Sequence, residues 1–259
     1  MKKHFYLLKT CLCALAVGVL AGCSAEVDGP QVAEGEGAFL LNVATDTGFE
    51  TTTRALDESP YANPDNYTVQ ILQNGAVQDE YSYTEVKDTW IPYGNGTYTV
   101  KAFYGEDLPV STTSMYVEGH QDISISNDTA HVSFTCKPVC AKVTVKFDET
   151  MADYFSAYHV VFKTKALGEG SYDWQQTFTD PVYMKVTGEK ETVNATIYLT
   201  KKSDGTSTTM EKTYELTPAM QKTITMKPTV NNGNVGITIE IDEKTNDHEI
   251  TIEIPSDWV

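Results

Sequence analysis

The 259-residue sequence predicts an all-β protein built from two tandem antiparallel β-sandwich domains, of the Ig-like or transthyretin-like Greek-key type. Three observations predict this class. Short runs rich in Val, Ile, Thr, Tyr and Phe are separated by Gly, Asn, Asp and Pro. The runs recur about every 10 residues, as in sandwich domains. No crossover helix of about 10 residues separates consecutive runs, which excludes a parallel α/β sheet.

The first domain is predicted to span residues 37–137. Its first strand alternates apolar residues at Phe39, Leu41 and Val43. The Asn74-Gly75 pair predicts a type I′ hairpin, because both central residues of that turn need positive φ. Tyr98 follows a glycine-rich turn and lies where a tyrosine corner can form.

The second domain is predicted to span residues 138–259. Its first strand, 139–147, has apolar residues on one face and Lys142, Thr144 and Lys146 on the other, which predicts a half-buried strand. Residues 150–158 are compatible with one or two helical turns that pack against the core. About seven further strands are expected, the last at 249–254.

The two cysteines between the domains are predicted to be free thiols. Cys136 and Cys140 are separated by one residue more than the usual Cys-x-x-Cys metal motif, and one pair supplies at most two ligands. Extended residues at this separation lie about 13 Å apart, whereas a disulfide needs less than about 7 Å. We favour buried or half-buried thiols over a disulfide, which a turn at Pro138 would allow.

The sequence contains no pattern that predicts catalysis. It has no nucleophile elbow, phosphate-binding loop, dinucleotide-binding glycine pattern or zinc-protease motif, and its histidines lie in separate segments. We therefore expect no enzymatic activity, no cofactor and no metal site. The Asn- and Asp-rich segments 63–66 and 246–249 are interpreted as turns rather than calcium ligands.

The charge balance excludes two classes of partner. The chain has 36 acidic and 19 basic residues, for a formal charge of −17. Nucleic acids and anionic membrane surfaces both require basic patches, so neither is expected to bind directly. Trp174 lies in a polar segment and is the best candidate for an exposed ring that stacks on a sugar.

The N-terminus predicts a lipid anchor. Residues 1–22 contain three lysines and no acidic residue. Their apolar run, at 10–20, is too short to cross a membrane, which takes about 20 residues, so a secretory signal is predicted. The run ends in Leu-Ala-Gly followed by Cys23, which resembles the bacterial lipobox, where this cysteine is lipidated after cleavage. Residues 23–36 are small and acidic, as in a flexible tether. Loss of the signal leaves 16 basic and 36 acidic residues, a charge of −20 that suits an outward-facing body.

Arg54 is the single arginine of the sequence and lies in a polar segment after the first strand. An exposed loop of this kind is where an arginine-specific protease cuts, here before Ala55. The alternative is that a lysine-preferring composition left one arginine by chance. The sequence alone leaves both interpretations open.

The lipobox, the acidic tether, the Phe39 strand, the Thr-Arg-Ala at Arg54 and the segment 96–102 together resemble the fimbrillin-like lipoproteins of Bacteroidales bacteria. Within them the chain is most similar to the domain of unknown function family 4493, whose pattern includes a Cys-Lys pair like the one at Cys136. Asp128, Thr129 and Ala130 match the short O-glycosylation signal of these bacteria, so Thr129 is a candidate glycosylation site.

The resemblance implies an outer-membrane lipoprotein, facing the cell exterior, that acts in cell adhesion. Such subunits lose their first strand to an arginine-specific protease and polymerise when a partner's strand fills the groove. Applied here, cleavage after Arg54 would remove the lipid and the strand at 38–44, and residues 249–255 would be the donor unless already paired. The partners would be other fimbrial subunits or surface glycans. The alternative is an anchored glycan-binding lipoprotein that does not polymerise.

Overall fold

The computed structural model describes residues 29–49, 56–231, 234–243 and 248–252. In this part of the chain the strands are β1 (Glu36–Thr45), β2 (Thr68–Gln73), β3 (Ala76–Ser82), β4 (Trp90–Gly94), β5 (Gly96–Gly105), β6 (Val110–Ser111), β7 (Tyr116–Ile125), β8 (Thr129–Pro138), β9 (Cys140–Phe147), β10 (Phe155–Thr164), β11 (Tyr172–Gln175), β12 (Val182–Lys185), β13 (Glu191–Lys201), β14 (Ser207–Leu216), β15 (Gln221–Asn231), β16 (Asn234–Glu243) and β17 (His248–Ile252). The helices are α1 (Tyr83–Val86) and α2 (Met151–Tyr154), and 3₁₀ turns form at Ser59–Ala62 and Pro64–Asn66. None of the helices in the described ranges is long and apolar enough to cross a bilayer. The predicted all-β class is confirmed.

The first half of the chain forms a seven-stranded sheet in the order β3-β2-β5-β7-β8-β1-β4. Strand β8 joins its two halves: residues 129–136 pair with β1, whereas Lys137 and Pro138 pair with β7. Side chains from both halves, such as Leu41 of β1 and Val100 of β5, share one buried cluster. The sheet therefore closes around its own core as a sandwich.

The local turns of this half agree with the sequence. Asn74 and Gly75 have φ values of 53° and 78°, and they join β2 to β3 as the predicted hairpin. The Tyr98 hydroxyl donates a hydrogen bond of 3.0 Å to the carbonyl oxygen of Gly94, four residues upstream. This is the geometry of a tyrosine corner.

The second half contains a four-stranded sheet, in the order β11-β10-β13-β14, and a six-stranded sheet, in the order β17-β16-β15-β9-β12-β6. A second buried cluster lies between them and includes Val143, Val160 and Ile197. The predicted helix at 150–158 is a single turn, α2. It buries Met151 and is followed directly by β10, whose first residue, Phe155, is also buried.

The expectation of purely antiparallel sheets is wrong at two pairings. β1 runs parallel to β8, and β9 runs parallel to β15. Each pair joins strands that are distant in sequence, so no tight turn forces them to be antiparallel. Alternation of apolar residues reports which face of a strand is buried and carries no information on its direction.

The two cores meet at consecutive residues. Cys140 belongs to the first buried cluster and Ala141 to the second. Each half also contributes residues to the other. β6 of the first half pairs with β12 of the second, and the Tyr183 side chain of β12 packs into the first core. The junction is therefore a packed interface.

Candidate functional site

Strand β1 lies inside its sheet rather than at an edge. It pairs antiparallel with β4 on one side and parallel with β8 on the other. Phe39, Leu41 and Val43 are 0%, 2% and 4% exposed, and all three belong to the first core. The backbone N–H of Val43 also donates to the Tyr83 hydroxyl at 3.0 Å. Both backbone edges and one face of β1 are thus committed to the first domain.

The burial of these side chains is large on the scale of domain stability. Full burial of an apolar side chain of this size contributes about 1.5–3 kcal/mol, so the three together contribute roughly 5–9 kcal/mol. Single domains are stable by about 5–15 kcal/mol in total. The first domain therefore depends on having a strand in the position of β1.

The start of β1 fits closely against the turn between β7 and β8. A Cβ atom at Gly37 would lie 2.3 Å from Cγ2 of Ile125 and 2.5 Å from the carbonyl oxygen of Asp128. The Gly35 N–H donates to Oδ1 of Asn127 at 2.6 Å. These contacts fix the register in which β1 enters the sheet.

The segment after β1 is held at the domain junction on both sides of residues 50–55. On the far side, Oε1 of Glu58 accepts hydrogen bonds from Nζ of Lys142 at 2.6 Å and from the Tyr183 hydroxyl at 2.5 Å. On the near side, the Phe49 ring lies 5.9 Å from the Tyr183 ring and 5.8 Å from Nζ of Lys142. We call Phe49, Glu58, Lys142 and Tyr183 the junction clamp.

The junction clamp is largely shielded from solvent. The side chain of Lys142 is 1% exposed and that of Glu58 is 11% exposed. Burial raises the pKa of Tyr183 above its ordinary range, and the hydrogen bond to Glu58 raises it further, so the phenol stays protonated as a donor. Pairing with a carboxylate offsets part of the cost of burying a lysine charge, and loss of that pairing is destabilising.

Sequence reasoning missed the junction clamp. The alternation in β9 placed Lys142 on the exposed face of the strand, and that expectation is wrong, because the segment carrying Glu58 covers this position. The two residues are 84 positions apart, and each resembles the surface charges around it in the sequence. No periodicity or spacing signals such a pair.

The predicted lipid and cleavage positions, Cys23, Arg54 and Ala55, lie outside the described residues. Thr129 is the first residue of β8 and is half-buried beside the exposed Asp128. Its O-glycosylation stays a prediction.

The expectation that Trp174 is exposed is wrong. Its side chain is 0% exposed and belongs to the second core, beside Tyr172 and Phe178. The polar segment around it is strand β11, which pairs with β10 and places Trp174 opposite the buried Val160. Polar neighbours occupy the outer face of the strand, and the ring is too deeply buried to stack on a sugar.

The thiol prediction is confirmed. Cys136 and Cys140 are both free and buried. Burial raises the pKa of each thiol to about 12, so neither is a reactive thiolate near neutral pH. They pack in the first core.

The described residues include no group of three or more His, Cys, Asp or Glu side chains positioned to hold a metal ion. The segment 63–66 forms a turn, in which Oδ1 of Asn63 accepts from the Asp65 N–H at 3.1 Å, as the sequence predicted. Part of the other candidate segment, 246–249, lies outside the described residues.

The family is given by the sequence itself. The model of the family described as Domain of unknown function (DUF4493) matches residues 35–256. The chain belongs to the DUF4493 family. The predicted family is thus confirmed, and the match includes strands that form both buried clusters of this DUF4493 chain. None of the curated proteins matches it.

The chain is similar to several solved structures from Bacteroidales bacteria. A candidate polysaccharide-binding protein from Bacteroides thetaiotaomicron has a TM-score of 0.45 and 9% identity, covering 84% of this chain and 99% of that one. A candidate adhesin from the same species has a TM-score of 0.41 and 11% identity, covering 86% and 100%. A fimbrial assembly protein from Parabacteroides distasonis has a TM-score of 0.40 and 12% identity, covering 84% and 98%.

Proposed function

We propose that this DUF4493 chain is a fimbrillin-like adhesive subunit of the cell surface. It is anchored in the outer membrane through a lipid on Cys23, cleaved after Arg54, and polymerised by a strand from a partner subunit that replaces β1. The observation that carries the proposal is the position of β1. It is the first strand of the described residues yet lies between β4 and β8, so its loss opens a groove rather than trimming an edge.

The groove would have the chemistry of a strand acceptor. Loss of β1 would leave unpaired backbone groups on β4 and β8 and would empty the core positions of Phe39, Leu41 and Val43. Exposed strand edges and an open core are both unfavourable in water. An added strand with alternating apolar residues satisfies both at once by β-augmentation.

The junction clamp supports a defined product of cleavage. Phe49 lies before Arg54 and would leave with β1, whereas Glu58 lies after it and is bound to Lys142 and Tyr183. The new N-terminal segment would therefore stay attached to the body while β1 departs.

The expected donor is already paired in the monomer. β17 lies at the edge of the six-stranded sheet and pairs antiparallel with β16 from Ile237 to Ile241. Donation of this segment would first break its pairing with β16. In the groove of a partner subunit the segment would gain two pairings, with the partner's β4 and β8.

The mature N-terminus of surface material tests the proposal. We expect fimbrial material to begin at Ala55 and to run as oligomers that resist mild detergent. Arg54→Ala should leave the chain lipidated at Cys23 and monomeric, whereas a conservative change in the same segment, Thr53→Ser, should have no effect. Surface material that retains Cys23 and runs only as a monomer would contradict the proposal. It would favour the anchored alternative.

A further inference from the structure

A polar trough lies on the outer face of the four-stranded sheet, in the second domain. His159 of β10 and Tyr198 of β13 are directly opposite in register, while their neighbours Val160 and Ile197 point into the core. The two rings are stacked, with centroids 4.6 Å apart and planes 8° apart. The trough beside them has a volume of about 410 Å³.

Most of the side chains that surround the rings carry hydroxyl groups. Thr200, Ser207 and Thr209 line the trough, and the hydroxyls of Thr200 and Ser207 lie 3.0 Å apart. The lining contains no Asp, Glu, Lys or Arg, although the chain has 36 acidic residues. Oδ1 of Asp173 lies 3.9 Å from Nε2 of His159 but does not line the trough. A hydroxyl-lined trough without Asp, Glu, Lys or Arg on a strongly acidic protein is matched to a neutral, hydroxyl-rich ligand.

The stacked rings of His159 and Tyr198 supply an aromatic surface, which the hydroxyl groups around them do not. Tyr198 is 37% exposed, and its stacking on His159 holds the ring in one orientation. A rigid, exposed aromatic face binds the apolar C–H face of a sugar ring with little loss of side-chain freedom, while neighbouring hydroxyls pair with those of the sugar. Small-ligand pockets of about 300–1,000 Å³ combine the same two features.

We infer that this trough binds a neutral saccharide. The exposed face of Tyr198 packs against a sugar ring, His159 supports Tyr198 from behind, and Thr200, Ser207 and Thr209 hydrogen-bond the sugar hydroxyls. The trough contains no residue of β1 or of the junction clamp. Saccharide binding is therefore independent of the proposed cleavage and strand exchange, and either can fail without the other.

The test is binding of the purified lipid-free chain, uncleaved at Arg54 and retaining β1, to an array of neutral oligosaccharides of glucose, galactose, mannose and N-acetylglucosamine, with sialylated counterparts on the same array. We expect binding to neutral members, quantified by calorimetry with the strongest one. Tyr198→Ala should weaken it at least about tenfold. Thr200→Val should weaken it with little change of shape.

The matched control is Tyr154→Ala. Tyr154 is 36% exposed in the same domain but lies in α2, outside the trough. It should leave the affinity unchanged, and thermal melts should show every variant folded. Absence of binding to all neutral members at millimolar concentration overturns the inference. An equal loss of sugar affinity in Tyr154→Ala also overturns it, as does a preference for sialylated members. A Tyr198→Ala variant that keeps its sugar affinity but loses self-association overturns it as well.

Discussion

The most consequential single side chain is Lys142, a cation with 1% exposure inside a protein of net charge −17. It is held by Glu58, which also accepts from Tyr183. Removal of the partner of a buried charge costs more than the pair itself contributes, because the remaining charge has been taken out of water. The junction clamp therefore ties the segment after β1 to the first strand of the second half, β9.

We predict that Glu58→Gln lowers the free energy of unfolding by about 2–4 kcal/mol, because it removes a carboxylate that pairs with the buried charge of Lys142. Replacing both residues, as Glu58→Gln with Lys142→Met, should recover much of the loss. The control is Asp65→Asn in the exposed Lys87–Asp65 pair, whose side chains are 39% and 42% exposed. It should lower the free energy of unfolding much less than Glu58→Gln does, because solvent screens an exposed ion pair. Urea unfolding curves measure all three, and equal costs for the two single variants would contradict the buried role.

Individual residues show where sequence reasoning succeeds. Asn74 and Gly75 were predictable because the turn depends on local backbone sterics. Trp174 was predicted to be an exposed ring in a polar segment and Lys142 to lie on the exposed face of its strand, and both side chains are buried. Trp174 is buried in the second core, between strands of two sheets, and Lys142 is covered by the Glu58 segment, 84 positions away.

At the scale of elements, most strands and the burial pattern of β1 were predictable from alternation, because burial follows the two-residue period of a strand. The direction of β1 against β8, and of β9 against β15, was not. Whether two strands are parallel or antiparallel depends on the path of the chain that connects them. A strand as short as β6, with two residues, leaves no periodic signal at all.

The register of β1 gives the prediction that belongs to this scale. Gly37→Ala should destabilise the first domain by about 1–3 kcal/mol, because a Cβ would overlap backbone and core atoms of the β7–β8 turn. Gly94→Ala is the matched control in the neighbouring strand, where the nearest atom to a Cβ, the carbonyl oxygen of Gly35, is 4.0 Å away. Chemical denaturation compares the two, and equal losses would show that strand propensity rather than register is responsible.

At the scale of the whole molecule, the two domains are coupled through one short stretch of chain. Phe49 and Glu58 bring the segment after β1 to Lys142 and Tyr183, while β6 of the first half completes a sheet of the second. A cut between Phe49 and Glu58 would therefore break the covalent link between β1 and the rest of the chain. The contacts of Glu58 with Lys142 and Tyr183 would remain. Nothing in the sequence patterns indicated that the single arginine lies between two anchors that meet at the same pair of side chains.

The last prediction concerns the chain after such a cut. We expect an arginine-specific protease to convert the purified chain into two fragments that still elute together, because β1 keeps two ladders and three buried side chains. A peptide with the sequence of residues 248–254 should displace the β1 fragment slowly, at a rate set by strand dissociation. A peptide with Ile250 and Ile252 replaced by Asp should not, because it cannot fill the core positions. Mass spectrometry of the eluted complex follows the exchange. If the β1 fragment leaves at once and the remaining chain unfolds, or if both peptides displace it equally, the groove is not a selective strand acceptor.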